Sequence, residues 1–279
     1  FIHIPWPSAR HWQLLPREVR DAIFQSMLAN DIVGFQTRLD LQNFLSCCQF
    51  FCPEAQVDHS NQRVTFQNHQ TLVKHYPTSI NPAEILRIAS SPRVLEYANT
   101  LSSLCGEKTI IRVDRAEPSR NIIRGFRAFQ VLLQKEPSLA GRVKFLAFLV
   151  PSRSHIKQFQ RYMEEVTLTA NEINQQYGGE GSKVVEIFPE NNYAQALAAM
   201  KLYDVLLVNT VVDGMNLVAK EGPVVNTKDG VLVLSETSGA YDQLRSGALG
   251  VAPADIEGTA NALLTALNMN PEEKRRRAE

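Results

Sequence analysis

Residues 213–221 place two carboxylates around a turn and a helix start, in the order Asp-Gly-Met-Asn-Leu-Val-Ala-Lys-Glu. The apolar run at 204–208 before them predicts a buried strand. Gly214 is expected to let the chain reverse sharply, and Asn216 or Asp213 to cap the helix that follows. The first amides of such a helix carry the positive end of its dipole and can bind phosphate. The pattern therefore fits both an ordinary capped strand–turn–helix and a diphosphate site.

The two carboxylates of this stretch can recognise hydroxyl groups. Asp213 precedes the predicted helix, and Glu221 is expected about two turns into it. Both can accept hydrogen bonds from hydroxyls such as those of a sugar and a ribose.

Three arginines follow two other predicted strands. Arg115 and Arg120 bracket a turn directly after the β run at 109–113, and Arg153 follows the strand predicted at 143–150. Two fixed cations at the carboxyl end of a strand can clamp a diphosphate and stabilise the charge of a departing nucleotide. The alternative for this pair is two solvated arginines. Arg153 lies where the phosphate of an acceptor could be held.

His3 ends a short β-like run, residues 1–4, which Pro5 and Pro7 terminate. A side chain at the carboxyl end of a strand faces the crevice where open α/β sheets bind ligands. A lone histidine is more often structural, so both interpretations stay open on this pattern alone.

Length and charge limit the classes of function. The chain has 279 residues, which on a prior of roughly 100–200 residues per domain suggests two domains. Lys+Arg and Asp+Glu are equal at 29 each, so the dense positive charge of a nonspecific nucleic-acid binder is missing. No apolar stretch approaches ~18 residues, so no membrane span is predicted. Because the chain opens mid-pattern at Phe1, we expect a longer protein whose N-terminal segment is missing.

The sequence predicts no metal site. Its four cysteines fit no zinc spacing and no disulfide framework; they are Cys47, Cys48, Cys52 and Cys105. Free, mostly buried thiols are typical of a cytoplasmic protein, and we predict that location. The glycines at 178–181 predict a loop, and their spacing is not that of a dinucleotide fingerprint.

The stretch 213–221 is similar to the signature of the trehalose-6-phosphate synthase family of retaining glycosyltransferases. Residues 3–8, His-Ile-Pro-Trp-Pro-Ser, with the Leu-Leu-Pro of 14–16, resemble a second segment of that family. The histidine of that segment lies at the donor sugar, which implies the same place for His3. The Pro-x-Arg of 151–153 resembles the segment that contacts the acceptor phosphate in the family.

Residues 115–121 resemble the family's Arg-Leu-Asp-Tyr-x-Lys-Gly loop, whose Arg and Lys hold the donor diphosphate. The match is partial, although Arg115 aligns with the family's Arg. Arg120 stands in place of its Lys, Glu117 of its Asp and Asn121 of its Gly. The positive charge is kept, but arginine and lysine differ in hydrogen-bond geometry.

Strands and helices alternate throughout the sequence, which predicts parallel sheets with right-handed crossovers. The resemblance implies the GT-B fold, an α/β architecture of two Rossmann-like domains whose parallel sheets face each other across a crevice. We predict that residues 1–106 are the remainder of the N-terminal, acceptor-side domain. Residues 107–279 are then the C-terminal domain that binds the nucleotide sugar.

The resemblance implies transfer of glucose from a nucleotide-glucose, with UDP-glucose favoured, to glucose 6-phosphate or a similar sugar phosphate. The product is trehalose 6-phosphate, with retention at the anomeric carbon. In the family's front-face mechanism the leaving diphosphate helps to deprotonate the acceptor, and no metal or cofactor is required. The implied site residues are Arg115, Arg120 and the amides of Asn216 and Leu217 at the diphosphate, Glu221 at the ribose, His3 and Asp213 at the donor sugar, and Arg153 at the acceptor phosphate. Of these, Arg115, Arg120 and Asp213 are the predicted catalytic residues.

Two alternatives stay open. The altered loop at 115–121, and Val212 where the family commonly has Arg, suggest a relative with another phosphorylated acceptor or a cyclitol donor, as in the family's pseudo-glycosyltransferases. A non-catalytic sugar-phosphate sensor would bind the nucleotide sugar without turnover; the retained Asp213, Glu221 and loop cations argue against it. No nucleic-acid or membrane partner is predicted, and a homo-oligomer is left open because the sequence does not determine the oligomeric state.

Overall fold

The computed structural model describes residues 1–179 and 181–279. The chain forms two compact units by its internal contacts. The first unit comprises residues 1–79 with 213–215, and the second comprises 80–212 with 216–279. The loop predicted at 178–181 includes Glu180, which lies outside the described residues.

The first unit contains a four-stranded sheet with helices. Its elements are α1 (Ala9–Trp12), α2 (Arg17–Leu28), β1 (Ile32–Phe35), α3 (Arg38–Phe51), β2 (Gln56–Asp58), β3 (Arg63–Phe66) and β4 (His69–His75). The strand order is β1-β4-β3-β2. Strands β1 and β4 pair in parallel, whereas β4 with β3 and β3 with β2 are antiparallel.

This sheet corrects the expectation of parallel sheets in both halves. Gln67 and Asn68 connect β3 to β4 with φ of 49° and 62°. Two positive φ values in a two-residue connection are typical of a tight hairpin, which requires antiparallel neighbours. A parallel pair would instead need a crossover connection of a dozen or more residues.

Aromatic packing fixes the start of the chain in the first unit. The Trp6 ring lies 5.9 Å from the Phe24 ring, 5.6 Å from Phe35 and 5.2 Å from Phe44, all near edge-to-face. The Trp6 amide donates to Asp40 Oδ1 at 2.7 Å. These contacts hold the segment that carries the predicted donor-sugar histidine.

The second unit contains the larger sheet. Its elements are α4 (Pro82–Ala89), α5 (Pro92–Ser102), β5 (Lys108–Arg115), α6 (Ile122–Lys135), β6 (Val143–Val150), α7 (Lys157–Tyr177), β7 (Val185–Phe188), α8 (Tyr193–Met200), β8 (Val205–Val208), α9 (Val218–Val225), β9 (Val231–Ser235), α10 (Tyr241–Leu244), β10 (Leu249–Val251), α11 (Ile256–Asn268) and α12 (Pro271–Ala278). Short 3₁₀ turns occur at Pro118–Arg120 and Pro137–Leu139. The strand pairings described in this sheet are parallel, which confirms the prediction for this half.

The strand order of this sheet is β10-β9-β8-β5-β6-β7. The chain runs outward from β5 through β6 to β7 and then crosses to β8 on the other side of β5. The connections after β5 and β8 therefore leave the sheet in opposite directions. Open α/β sheets bind ligands at such a switch point, outside the carboxyl ends of the strands. The fold thus places residues 115–121 and 209–212 at the expected ligand position of this unit.

Residues 80–106 pack within the second unit. Helix α4 contacts α9, and α5 contacts α8. Asn192 Nδ2 donates to the Tyr97 hydroxyl at 2.9 Å, and Lys201 Nζ to the Ala89 carbonyl at 3.3 Å. The contact-based units therefore differ from our sequence-based boundary at residue 106. The two-domain division at that residue stays a prediction.

All four cysteines are free, as predicted. Cys47, Cys48 and Cys52 are buried on and just after α3, and Cys105 is half-buried. Burial raises the pKa of the Cys47 and Cys52 thiols to about 11. These thiols are protonated at neutral pH and serve as apolar core. Among the helices that the structure describes, none has the length and apolarity needed to cross a membrane.

Candidate active site

Three predicted phosphate-binding arginines follow neighbouring strands of the second unit. Arg115 ends β5 and lies in register with Val150, the last residue of β6. Arg120 ends the 3₁₀ turn that follows Arg115. Arg153 follows the end of β6. We call residues 115–121 the β5 loop and residues 151–156 the β6 loop; parallel strands bring both to one edge of the sheet.

Glu117 joins these two loops. Its Oε1 accepts a hydrogen bond from Ser152 Oγ at 2.7 Å and lies 3.4 Å from Arg115 Nη1. Glu117 is only 8% exposed, whereas Arg115 is exposed. The carboxylate thus ties the β5 loop to the β6 loop and orients one exposed guanidinium. The sequence pattern indicated no role for Glu117 beyond replacing the family's Asp.

Arg153 is exposed and contacts an aromatic ring of α7. Its φ is 47°, an uncommon value for a long side chain. Its guanidinium carbon lies 5.4 Å from the centre of the Phe159 ring at the start of α7, within cation–π range. The side chain is exposed. Arg153 can therefore approach an anion at the sheet edge.

Asn121 explains one departure from the family pattern. It has φ 58° and ψ 35°, the left-handed region that favours glycine but that asparagine tolerates. Its Nδ2 donates to the carbonyls of Asn209 at 2.8 Å and Pro253 at 2.7 Å. The side chain thus fixes the loop to two other connections at the same edge, which glycine could not do.

A buried ion pair lies beneath the β5 loop. Arg112 is 0% exposed, and its Nη2 lies 2.7 Å from Asp114 Oδ2. The same nitrogen donates to the Arg120 carbonyl at 2.8 Å, and Nη1 donates to the Ile122 carbonyl at 3.4 Å. This ion pair was not among the residues predicted from the sequence. The signal was present, because an arginine and an aspartate two positions apart in a strand lie on one face.

The motif at 213–221 combines a confirmed cap with a corrected turn. Helix α9 begins at Val218, and Asn216 Oδ1 accepts from the Ala219 amide at 3.1 Å, as predicted for Asn216. The positive φ of the turn, 66°, belongs to Asn216 and not to Gly214. Glycine is required at 214 for another reason: a Cβ there would collide with the His3 carbonyl oxygen.

Glu221 lies in the first turn of α9, which corrects the expectation of two turns, because the helix starts later than predicted. Its environment is partly apolar: burial raises the pKa of Glu221, and a hydrogen bond from the Tyr193 hydroxyl offsets part of that rise. Burial, followed by the charge of Glu221, raises the pKa of Tyr193 to about 12. Glu221 is therefore a partly desolvated acceptor for hydroxyl donors.

His3 belongs to the first unit. The predicted strand at residues 1–4 is only a single parallel bridge between Ile2 and Phe35, because Pro5 and Pro7 prevent a longer one. His3 is exposed, and its carbonyl packs against Gly214. Residues 213–215 also belong to the first unit, so Asp213 and His3 lie in the same unit.

The predicted site residues thus fall into two sets. The second unit carries six of them: Arg115, Arg120, Arg153, Asn216, Leu217 and Glu221. The first unit carries His3 and Asp213. Their assigned ligands stay predictions. Within residues 1–179 and 181–279, no group of three or more His, Cys, Asp or Glu side chains is arranged to hold a metal ion.

Comparison with known proteins decides the family. The model of glycosyltransferase family 20 matches residues 1–279. The chain belongs to glycosyltransferase family 20. The family predicted from the sequence motifs is thereby confirmed.

Three relatives of this family 20 chain illustrate its range. It is 31% identical to the validamine 7-phosphate valienyltransferase of Streptomyces hygroscopicus subsp. jinggangensis, over 100% of this chain and 54% of the relative. It is similar to the UDP-forming α,α-trehalose-phosphate synthase of Burkholderia xenovorans in complex with glucose-6-phosphate, with a TM-score of 0.91, 29% identity, and coverage of 100% and 62%. The E. coli trehalose-6-phosphate structure bound with UDP-2-fluoro glucose gives a TM-score of 0.91 and 30% identity, with coverage of 100% and 61%.

These similarities confirm the α/β GT-B fold class that the sequence predicted. The family 20 chain spans about half the length of the curated relative and about three fifths of the two solved structures.

Proposed function

We propose that this family 20 protein is a retaining glycosyltransferase. It transfers glucose from UDP-glucose to glucose 6-phosphate and forms trehalose 6-phosphate. The observation that carries the proposal is the convergence of Arg115, Arg120 and Arg153 at one sheet edge, two of them at the switch point. The similarity to proteins described as UDP-forming synthases supports UDP as the leaving group.

The diphosphate is assigned to the β5 loop and to the start of α9. Arg115 and Arg120 supply positive charge where the bond to the sugar breaks, and this stabilises the leaving UDP. The amides of Asn216 and Leu217 lie at the positive end of α9 and add fixed dipoles. Hydrogen bonds of the buried Arg112 and of Asn121 hold the β5 loop in place. Little reorganisation of the loop is therefore needed when negative charge develops on the leaving UDP.

Three side chains are assigned to the hydroxyl groups of the donor. Glu221 accepts hydrogen bonds from the ribose, and its partial burial strengthens them. His3 and Asp213 are assigned to hydroxyls of the donor glucose. Glycine at 214 lets the backbone next to Asp213 pass the His3 carbonyl, with which a Cβ would collide.

Arg153 is assigned to the phosphate of glucose 6-phosphate. In the front-face reaction the acceptor hydroxyl attacks the anomeric carbon from the side that UDP leaves. The C–O bond to UDP breaks, the new C–O bond forms, and the hydroxyl proton passes to the departing diphosphate. The protein positions both substrates and stabilises the leaving charge.

A second candidate is transfer from a nucleotide cyclitol to another phosphorylated acceptor. The similarity to a validamine 7-phosphate valienyltransferase supports it, as do the replacements in the β5 loop. We also propose a cytoplasmic location, supported by the four free cysteines.

The test is release of nucleoside diphosphate by the intact protein. UDP-, GDP- and ADP-glucose are offered in turn, with and without glucose 6-phosphate, and the product is identified. UDP release that depends on glucose 6-phosphate, with trehalose 6-phosphate formed, is the expected result. Release only with a cyclitol donor or another phosphorylated acceptor supports the second candidate. Tight binding without release from any donor overturns both transferase proposals.

A further inference from the structure

The β5 loop is anchored from below by backbone carbonyls. Four successive carbonyls accept hydrogen bonds from other parts of the second unit. The donors are the Val211 amide to Ser119 at 2.9 Å, Arg112 to Arg120 at 2.8 Å, Asn209 Nδ2 to Asn121 at 3.4 Å and Arg112 to Ile122 at 3.4 Å. The loop therefore has little freedom to shift as a body.

Two kinds of interaction hold the β5 loop: a buried ion pair and the hydrogen bonds of one side chain. Arg112 is fully buried, and its charge is balanced by Asp114 at 2.7 Å. The Asn121 side chain spans to the carbonyls of Asn209 and Pro253. Gly125 completes the arrangement, because a Cβ there would lie 2.5 Å from Arg112 Nη1. A buried ion pair costs desolvation energy, and each of the three guanidinium nitrogens of Arg112 donates at least one hydrogen bond.

We propose that Arg112 and Asn121 are positioning residues that set the diphosphate affinity of the β5 loop. The proposal rests on the proposed function, since it assigns Arg115 and Arg120 to the diphosphate. Arg112 bonds the carbonyl of Arg120 itself, and Asn121 is the next residue along the chain. A displacement of about 1 Å at this backbone moves the guanidinium out of register with a phosphate oxygen.

Two variants separate positioning from folding. Asn121→Gly keeps the left-handed backbone and removes both side-chain tethers. The double variant R112M/D114L removes both charges, so that no unpaired ion stays buried. Leu263→Ala in α11 is the matched control, because Leu263 is fully buried in the core of the same unit. Truncation of Leu263 lowers the stability of the second unit and leaves the residues of the β5 loop unchanged.

The readouts are the Kd for UDP, the KM for UDP-glucose against kcat, the Tm, and backbone amide exchange in residues 115–124. Asn121→Gly and R112M/D114L are expected to weaken UDP binding and raise the KM by about tenfold or more, with faster exchange in the loop. The control should match their loss of Tm with wild-type UDP binding.

UDP affinity and loop exchange that match the wild type in both variants overturn the proposal. An equal loss of affinity in Leu263→Ala also overturns it, because the effect is then general destabilisation. Failure of the wild-type protein to bind any nucleoside diphosphate refutes the proposed function instead. Loop exchange needs no ligand, so it still decides whether the network orders the loop.

Discussion

The β5 and β6 loops lie at the same sheet edge and carry the same kind of residue, but they are held differently. The β5 loop is tied by the buried Arg112 and by the double bridge of Asn121. The β6 loop is tied by Ser152 to Glu117, by a backbone bond from the Ile156 amide to the Arg153 carbonyl, and by Gln160 Nε2 of α7, which donates to the Ser154 carbonyl at 2.6 Å. Arg153 adds one cation–π contact.

This difference suits two different tasks. A loop that stabilises a leaving diphosphate gains from being fixed before the reaction, because reorganisation then costs nothing in the transition state. A loop that holds the phosphate of an exchanging acceptor needs affinity and can be ordered by the ligand. We therefore expect changes in the β5 loop to lower kcat and weaken UDP binding, and changes in the β6 loop to raise the KM for the acceptor.

The largest expected effect is that of Arg120→Ala, at about 10²–10³-fold in kcat, since it removes charge stabilisation at the leaving group. Arg120→Lys restores the residue of the family pattern and should recover most of the loss. Steady-state kinetics with UDP-glucose and glucose 6-phosphate measure both. If Arg120→Ala changed only the KM for the acceptor, the division of tasks between the loops would be wrong.

Arg153→Ala comes next. It is expected to raise the KM for glucose 6-phosphate by about 10–100-fold, since one charge-assisted contact to phosphate is lost. The Kd for UDP should stay at the wild-type value, which isothermal titration can check. An equal loss of UDP affinity would show that the two loops act as one site element.

Gly125→Ala tests the anchoring below the β5 loop. Alanine normally stabilises a helix over glycine by about 1 kcal/mol. Here the added Cβ lies 2.5 Å from Arg112 Nη1, so we expect a loss of about 1–3 kcal/mol in the free energy of unfolding. Gly179→Ala is the control, because a Cβ at that position would meet no atom of the described residues within 4 Å beyond its own chain neighbours. Denaturant unfolding of both variants gives the comparison, and a stabilised Gly125→Ala would contradict it.

Glu221→Gln extends the comparison to α9, with the smallest effect on stability. Burial holds the pKa of Glu221 above its ordinary value of 4.5, so ionisation favours the unfolded chain. Protonated Glu221 therefore favours the folded chain. Its contribution to stability is complete below the pKa that Glu221 has in the unfolded chain, and it is lost as pH rises through the pKa in the folded chain. Glu221→Gln should raise the Tm at neutral pH and weaken donor binding.

The check is a pH series of Tm for both proteins. The higher Tm of Glu221→Gln relative to the wild type should disappear as pH falls below 4.5, the ordinary pKa of the Glu221 carboxyl. Tyr193→Phe removes the hydrogen bond that lowers the pKa of Glu221, so the pKa of Glu221 should be higher in this variant. As pH falls, donor binding should therefore begin to weaken at a higher pH than in the wild type. A higher Tm for the wild type than for Glu221→Gln at neutral pH would exclude a desolvated carboxylate.

Local patterns in the sequence were sufficient for much of the second unit. The alternation of strands and helices predicted its parallel sheet, and the cap at Asn216 follows from a side chain that reaches an amide three residues ahead. The positions of Arg115 and Arg153 after strands were likewise readable, because strand ends are marked by the end of apolar runs. The start of α9 was placed too early, and with it the position of Glu221.

By itself the sequence determined the α/β class, the family signature at 213–221 and the cations of the β5 loop, since these depend on residue types at short spacing. The tertiary structure alone decided two other features. These are the need for glycine at 214 and the burial of Arg112. Each depends on tertiary packing, which short-range spacing does not encode. The His3 carbonyl that excludes a side chain at 214 is the clearest example.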